Sequence, residues 1–292
     1  MKYKRSLLSV LFDVFNYTFL GLFASTAILP FLYVLACSFS TEKEIVERPF
    51  YIIPRKISLS AYEYIFSSPT LPRAFLISIF VTLAGASIAM FFTLTLAYPL
   101  SKKYLVGRNV LLALISFTLV FGGGMIPTFL VIKSLGFLNK FWALLLPGAI
   151  STWNLLVIKN FFQEIPQEME DSARVDGCSA IGTFLKIVLP LSMPVIATFT
   201  LFYAVGYWND YWSSLLYMTD NKKWPLQLVL RQIVRMAAGN VDGATFDEAY
   251  TQPPLEGSKN AVIIFGTVPI LLVYPFLQKH FVKGIMIGAI KG

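Results

Sequence analysis

Residues 165–194 read IPQEMEDSARVDGCSAIGTFLKIVLPLSMP, a polar island in an otherwise apolar chain. The island carries signals of local structure. Pro166 suits the first turn of a helix, and Glu168, Glu170 and Asp171 follow where the helix macrodipole favours acids. Gly177 is a natural left-handed stop. These signals predict a short helix, a turn and a second helix leading into Pro190. Apolar runs long enough to cross a bilayer flank the island, at about 12–38, 75–100, 109–132 and 140–162 before it and 187–218 and 260–282 after it. The predicted fold is an all-α membrane protein of six transmembrane helices, with a loop at 164–186 between helices 4 and 5.

Composition agrees with that reading. The chain has 292 residues, 56% hydrophobic and 14% charged, whereas soluble domains carry about 25% charged residues. Its mean hydropathy is +0.67. At about 20 residues per crossing, 1–292 accommodates six spans in a single transmembrane domain. Pro30, Pro127, Pro147, Pro269 and Pro275 lie within or at the ends of these runs, which membrane helices tolerate where neighbours satisfy the freed carbonyls. The net charge of +8 comes from scattered basic residues, separated by segments too apolar for a nucleic-acid face. Membrane lipid, not nucleic acid, is the expected partner of that charge. Cys37 ends one span and Cys178 lies in a loop on the opposite side, so no disulfide framework is implied.

The start, MKYKRSLLSVLFDVF, begins like a signal peptide, but the apolar run continues to about Cys37 without a small-residue cleavage site. A retained first helix is expected, with both termini cytoplasmic. Lys2, Lys4, Arg5, Lys102, Lys103, Arg108, Lys279, Lys283 and Lys291 then lie inside. The outer segments 39–74 and 219–259 also carry basic residues, in stretches long enough for the charge rule to weaken. Segment 219–259 joins an amphipathic helix, with Leu226, Leu230, Ile233 and Val234 near helical spacing, to a polar tip, VDGATFDEAYTQPPLEGS. An external partner and a plain connector both remain open for it.

Within the 164–186 loop, Ala173, Gly177 and Ala180 fall near one helical face, where missing bulk lets another protein approach, with Asp171 and Asp176 flanking it. A solvated re-entry loop is the competing reading. The run Asp171-Ser172-Ala173-Arg174-Val175-Asp176-Gly177-Cys178, with Ile187-Val188-Leu189-Pro190 after it, resembles the "EAA" loop, E-A-A-x-x-D-G-A, of binding-protein-dependent ABC importer permeases. Asp171 stands for the glutamate, Ser172 for the first alanine and Cys178 for the last; Asp176 and Gly177 match. SLSAYEYIF, YWNDYW and FVKGIMIGAIKG extend the resemblance to carbohydrate-uptake permeases, similar to the shorter permease of maltose and complex-oligosaccharide importers.

The resemblance implies a type I ABC importer permease fold in which the loop forms coupling helices seated on a nucleotide-binding subunit. It implies that Glu170, Asp171, Ser172, Ala173, Asp176 and Gly177 couple the chain to ATP hydrolysis. The implied partners are a second homologous permease, two ATPase subunits that bind ATP and Mg, and an extracytoplasmic sugar-binding protein that delivers an oligosaccharide. The implied location is the bacterial cytoplasmic (inner) membrane, and the chain itself needs no cofactor.

In the fifth span, LFYAVGYWNDYWSSLLYM, helical spacing places Tyr203, Tyr207 and Asp210/Tyr211 on one face. Ring faces suit the C–H faces of a pyranose, and Asn209 and Asp210 suit its hydroxyls, so Tyr203, Tyr207, Trp208, Asn209, Asp210 and Tyr211 are the candidate solute pathway. Trp208 and Trp212 also fit an interfacial aromatic belt, and Asn154 and Asn160 in the fourth span also fit helix–helix hydrogen bonding. No G-x-x-x-x-G-K-[ST] phosphate loop is present, and His280 is the single histidine, which leaves metal and triad chemistry without supplies. Not an enzyme but a transport subunit is the expected function; a stand-alone secondary transporter or channel for a polar solute is the alternative.

Overall fold

The computed structural model describes residues 7–237 and 256–289, which form helices and turns. Lys2, Lys4, Arg5, Lys291 and most of the tip 241–258 lie outside the described residues. The chain divides into two compact units, residues 1–69 with 232–267 and residues 70–231 with 268–292.

The first unit opens with α1 (Leu7–Ser38), 32 residues with Pro30 inside. At 1.5 Å per residue that is about 48 Å, more than a hydrocarbon core requires. Its side chains are exposed over most of its length, as for a helix that faces lipid, and burial begins at Ala36 and Cys37. The following segment, part of the outer loop expected over 39–74, is folded on itself through α2 (Glu42–Glu47) and α3 (Ser60–Phe66). Tyr51 packs with Ala36 and Cys37, and Tyr62 Oη donates to Ser38 Oγ at 3.0 Å.

Glu44 is the pin of that segment. Its carboxylate accepts the Arg55 amide at 2.9 and 3.1 Å and the Arg48 guanidinium at 2.6 Å. The Arg55 amide above all, and Arg48 with it, hold the Glu44 carboxyl below its ordinary range against the opposing effect of burial. A carboxyl lowered in the folded state stabilises above its unfolded pKa and loses that contribution as pH falls through its folded value. Protection of the Arg55 amide from hydrogen exchange, corrected for intrinsic rate, is therefore expected to fall as the pH drops below about 4. Glu44→Gln should have weak protection at every pH; a wild-type profile flat with pH would show that the carboxylate does not hold the segment.

The second unit is organised on α4 (Thr70–Ser101), against which α8 (Thr152–Glu164) and α12 (Met193–Asn209) pack. Small residues make this possible. Ala86, Ala89 and Ala97 of α4 let Leu155, Ile158 and Phe162 of α8 and Phe199 and Tyr203 of α12 close around it. Between α4 and α8 come α5 (Arg108–Val120), α6 (Met125–Ser134) and α7 (Trp142–Leu145). After α8 come α9 (Gln167–Val175), α10 (Ala180–Thr183), a π turn at Phe184–Val188 and α11 (Leu189–Leu191). Past α12 lie α13 (Trp212–Tyr217), α14 (Leu226–Ala237) and α15 (Glu256–Ala289).

Six spans were predicted, several of them holding prolines, and the helices break within some of those runs. Among the described residues, Leu8–Ser38 and Thr70–Ser101 are long and apolar enough to cross a membrane unbroken. The third predicted span turns by 115° between α5 and α6. The turn falls at Gly122-Gly123-Gly124, where Gly124 takes φ +80°, a region L side chains rarely adopt. The fourth is split at Pro147-Gly148 into α7 and α8. The fifth bends by 82° at Ser192, whose hydroxyl bonds the Val188 carbonyl at 2.7 Å just ahead of the donorless Pro194. It stops again at Asp210, the C-cap of α12. Hydropathy sees apolar runs, and it does not show that the runs break at Gly122-Gly123-Gly124, Pro147-Gly148 and Ser192 while α1 continues through Pro30.

Candidate coupling surface and solute cavity

The polar island folds as a helix, a turn and a second helix, with Pro166 as the N-cap of α9. Gly177 ends α9 at φ +81°. The Cys178 amide reaches back to the Ala173 carbonyl at 2.9 Å and the Gly177 amide to Arg174 at 3.0 Å, the paired bonds of a Schellman stop. Ser179 Oγ then accepts the Gly182 amide at 3.1 Å and caps α10. Backbone polarity is thus satisfied locally, leaving the side chains of the turn free to face outward.

The predicted coupling residues separate into two sets. Glu170 and Ala173 are buried, each 3% exposed, whereas Asp171, Ser172, Asp176 and Gly177 are exposed. The Glu170 carboxylate pairs with the Lys102 ammonium just past the end of α4. That ammonium also lies 4.6 Å over the Tyr98 ring. Arg174 Nη2 donates to Tyr104 Oη at 3.0 Å, a second tie to the same region. The single small-residue face expected of Ala173, Gly177 and Ala180 is likewise divided: Ala173 packs inward while Gly177 and Ala180 face out. What the sequence reading missed are Val175 and Ile181, 87% and 72% exposed beside the turn. Isolated apolar residues flanking an Asp-Gly turn were the available signal.

A polar cavity of about 530 Å³ lies beside α12, within the range typical of small-molecule sites. Tyr203, Tyr207 and Asp210 line it as the helical spacing predicted. Tyr203 Oη shares a hydrogen bond with Thr93 Oγ1 at 2.7 Å and accepts the Ser151 amide at 3.0 Å. Tyr207 Oη donates to the Leu145 carbonyl at 2.8 Å, and its ring lies where a side chain on Gly85 would stand. Asp210 Oδ1 accepts the Ser213 amide at 3.1 Å.

Three predicted members lie elsewhere. Trp208 is buried, edge-on to Phe75 at 5.9 Å, beside a separate apolar cavity of about 890 Å³. Asn209 is exposed and does not line the polar cavity, and Tyr211 sits under the Arg231 guanidinium at 4.2 Å. Ser151, Asn154, Gly148 and Ser213 complete the cavity instead. They enter because the chain breaks at Pro147-Gly148 and at Asp210, bends that a single continuous helical wheel does not contain.

Residues 2–287 match the family described as "Binding-protein-dependent transport system inner membrane component". The chain belongs to that family. It is 55% identical over 282 residues to Protein LplC of Bacillus subtilis (strain 168), covering 96% of this chain and 95% of that protein. It is 51% identical to the polygalacturonan/rhamnogalacturonan transport system permease protein YtcP of the same organism, over 97% and 99% of the two chains. A crystal structure of a bacterial ABC transporter involved in the import of the acidic polysaccharide alginate superposes with a TM-score of 0.86 at 30% identity, covering 95% of this chain and 99% of that chain. The chain is therefore a multi-pass membrane permease, all-helical among its described residues, and a transport component rather than an enzyme. Membership implies a substrate-binding protein and an ATPase as partners. A transporter acting alone is not favoured.

Proposed function

We propose that this chain is one of two permeases in an ABC importer that moves an oligosaccharide, acidic ones included, across the bacterial cytoplasmic membrane. A sugar-binding protein delivers the solute from outside, and two ATPase subunits supply the ATP and Mg chemistry. The full reading has six crossings, some of them broken, both termini cytoplasmic, and the 164–186 loop as the coupling element. The 51% identical polygalacturonan/rhamnogalacturonan transport system permease and the transporter involved in alginate import support the substrate class.

One observation carries the coupling mechanism: α9 and the solute cavity attach to the same helix. Glu170 holds Lys102 just past the end of α4, and about two and a half turns back Thr93 holds Tyr203. An ATPase subunit that grips Asp171, Ser172, Val175, Asp176 and Gly177 on the exposed side of the loop pulls through Glu170 on α4. Displacing α4 moves Thr93, and with it the Tyr203 hydroxyl that also holds Ser151 at the cavity wall. The cavity residues supply ring faces from Tyr203 and Tyr207 and hydrogen-bond partners from Asn154 and Asp210.

Gly177→Asp tests this in the importer reconstituted with its partners. A side chain at φ +81° is strained by roughly 1–2 kcal/mol and adds bulk and charge to the contact. Uptake of a labelled oligogalacturonide should fall at least tenfold, together with the stimulation of ATP hydrolysis by the loaded binding protein. Unchanged uptake would refute coupling through this turn. Wild-type uptake of a neutral malto-oligosaccharide with none of the oligogalacturonide would refute the acidic substrate.

A further inference from the structure

Arg231 of α14 holds a guanidinium whose Nη1 is buried and meets no hydrogen-bond acceptor. A buried donor left unmet is unfavourable, and more so when the group is charged. Its Cζ lies 4.2 Å from the centre of the Tyr211 ring. That contact covers one flat face of the group and uses none of its N–H donors, which point outward in the plane. The side chain as a whole is half-buried, so a solute can reach its open edge while Nη1 stays shut off from water. Among the described residues no acid pairs with it.

The position is set by the packing of α14. The Leu226 amide donates to Ser78 Oγ at 2.7 Å, which ties the start of the helix to α4, and Leu226, Leu228, Val229 and Leu230 are buried. With that part of the helix fixed, the cationic head of Arg231 is brought to Tyr211, where the fifth apolar run breaks. Tyr211 lies in the chain between two residues of the polar cavity, Asp210 and Ser213, which are themselves joined by the Ser213 amide and Asp210 Oδ1 at 3.1 Å. Among the described residues no lysine or arginine lines that cavity, and its charged member is the acid Asp210. A carboxylate-bearing sugar is repelled by Asp210 unless the carboxylate is turned to a cation nearby.

We propose that Arg231, held flat on Tyr211, binds the carboxylate of an acidic sugar residue whose hydroxyls are taken by the cavity at Asp210. The inference rests on the reading of the chain as a permease for acidic oligosaccharides and adds the residue that discriminates charge. An edge of the guanidinium presents two parallel N–H donors to two carboxylate oxygens, a match that an ammonium lacks. Tyr211 fixes the plane of that fork. Asp210 accepts hydroxyls and repels a second carboxylate, so the opposite charges on the two sides of Tyr211 orient the sugar, acid toward α14 and hydroxyls toward α12.

The importer reconstituted with its partner subunits and its binding protein tests this. Arg231→Gln should lower uptake of a labelled oligogalacturonide at least tenfold, and Arg231→Lys, which keeps the charge and loses the fork, by about threefold. Affinity for the empty binding protein should stay within about twofold of wild type in both. In the importer held with loaded binding protein and a non-hydrolysable ATP analogue, a carbodiimide should join the sugar carboxylate to the amine introduced by Arg231→Lys, giving a peptide heavier by the sugar in mass spectrometry. Wild-type uptake by Arg231→Gln would overturn the inference and leave the acidic-substrate reading standing. Absence of oligogalacturonide uptake by the wild type would instead remove that reading, and the inference with it. A carbodiimide product between the Arg231→Lys amine and the binding protein or the second permease would overturn the sugar site and assign the charge to a protein carboxylate. Should Arg231→Gln fail to assemble, the coupling product of Arg231→Lys decides between sugar and protein.

Discussion

Glu170→Ala, with Lys102 left in place, is expected to destabilise the second unit by about 3–5 kcal/mol, the usual cost of stranding one member of a buried ion pair. The pair qualifies as buried, since the two side chains are 4% and 13% exposed. Lys102 would keep the Tyr98 ring beneath its ammonium, which at roughly 1–2 kcal/mol does not offset the lost carboxylate. The midpoint of thermal unfolding in detergent measures the first consequence. The second is separable. A Lys102→Met/Glu170→Leu pair removes both charges and restores apolar packing, so stability should return to near wild type. Transport should not return with it if the ion pair transmits movement from α9 to α4. A double variant that regains both stability and binding-protein-stimulated ATP hydrolysis would reduce the pair to a structural tie. A Glu170→Ala variant as stable as wild type would remove even that role.

The two-sided character of α9 was not legible in the sequence, and the reason is physical. The run Glu168-Met169-Glu170-Asp171 offers three acids to one helix start, and spacing alone does not say which of them turns inward. Lys102 decides, because it stands beyond α4, 68 residues away, and supplies the buried counter-charge that Glu170 pairs with. Gly177 and Ser179, by contrast, act within their own turn, and a left-handed stop is visible wherever the glycine is. The same division holds at the cavity. Tyr203, Tyr207 and Asp210 share a helical face and were read as a set; Ser151 and Asn154 join them only because α7 and α8 part at Pro147-Gly148. Apolar length predicted where the chain meets lipid, and breaks inside those lengths determined the cavity.

Gly85→Ala is the smallest substitution expected to disturb transport without touching a polar group. A Cβ at this position of α4 would stand 2.7 Å from Cε1 and Cζ of Tyr207 and 2.8 Å from Cδ1. These are ring atoms of a side chain tethered at both ends, by its backbone in α12 and by its hydroxyl on the Leu145 carbonyl at 2.8 Å. The ring cannot swing a few tenths of an ångström to make room, so it must leave. Overpacking of this kind costs about 1–3 kcal/mol, and the freed Leu145 carbonyl costs roughly one hydrogen bond more, near 1 kcal/mol. Once displaced, the ring enters the 530 Å³ cavity it now borders. Uptake should therefore fall by about tenfold or more, while assembly with the partner subunits and basal ATP hydrolysis persist. Tyr207→Leu in the Gly85→Ala background relieves the collision and should recover stability. Uptake should stay low, because the ring face offered to a pyranose is gone. Full uptake in Gly85→Ala would place the Tyr207 ring elsewhere during transport and break the link between α4 and the cavity wall at this level; recovered uptake in the double variant would leave Tyr207 a packing residue, with Tyr203 and Asp210 to carry the solute.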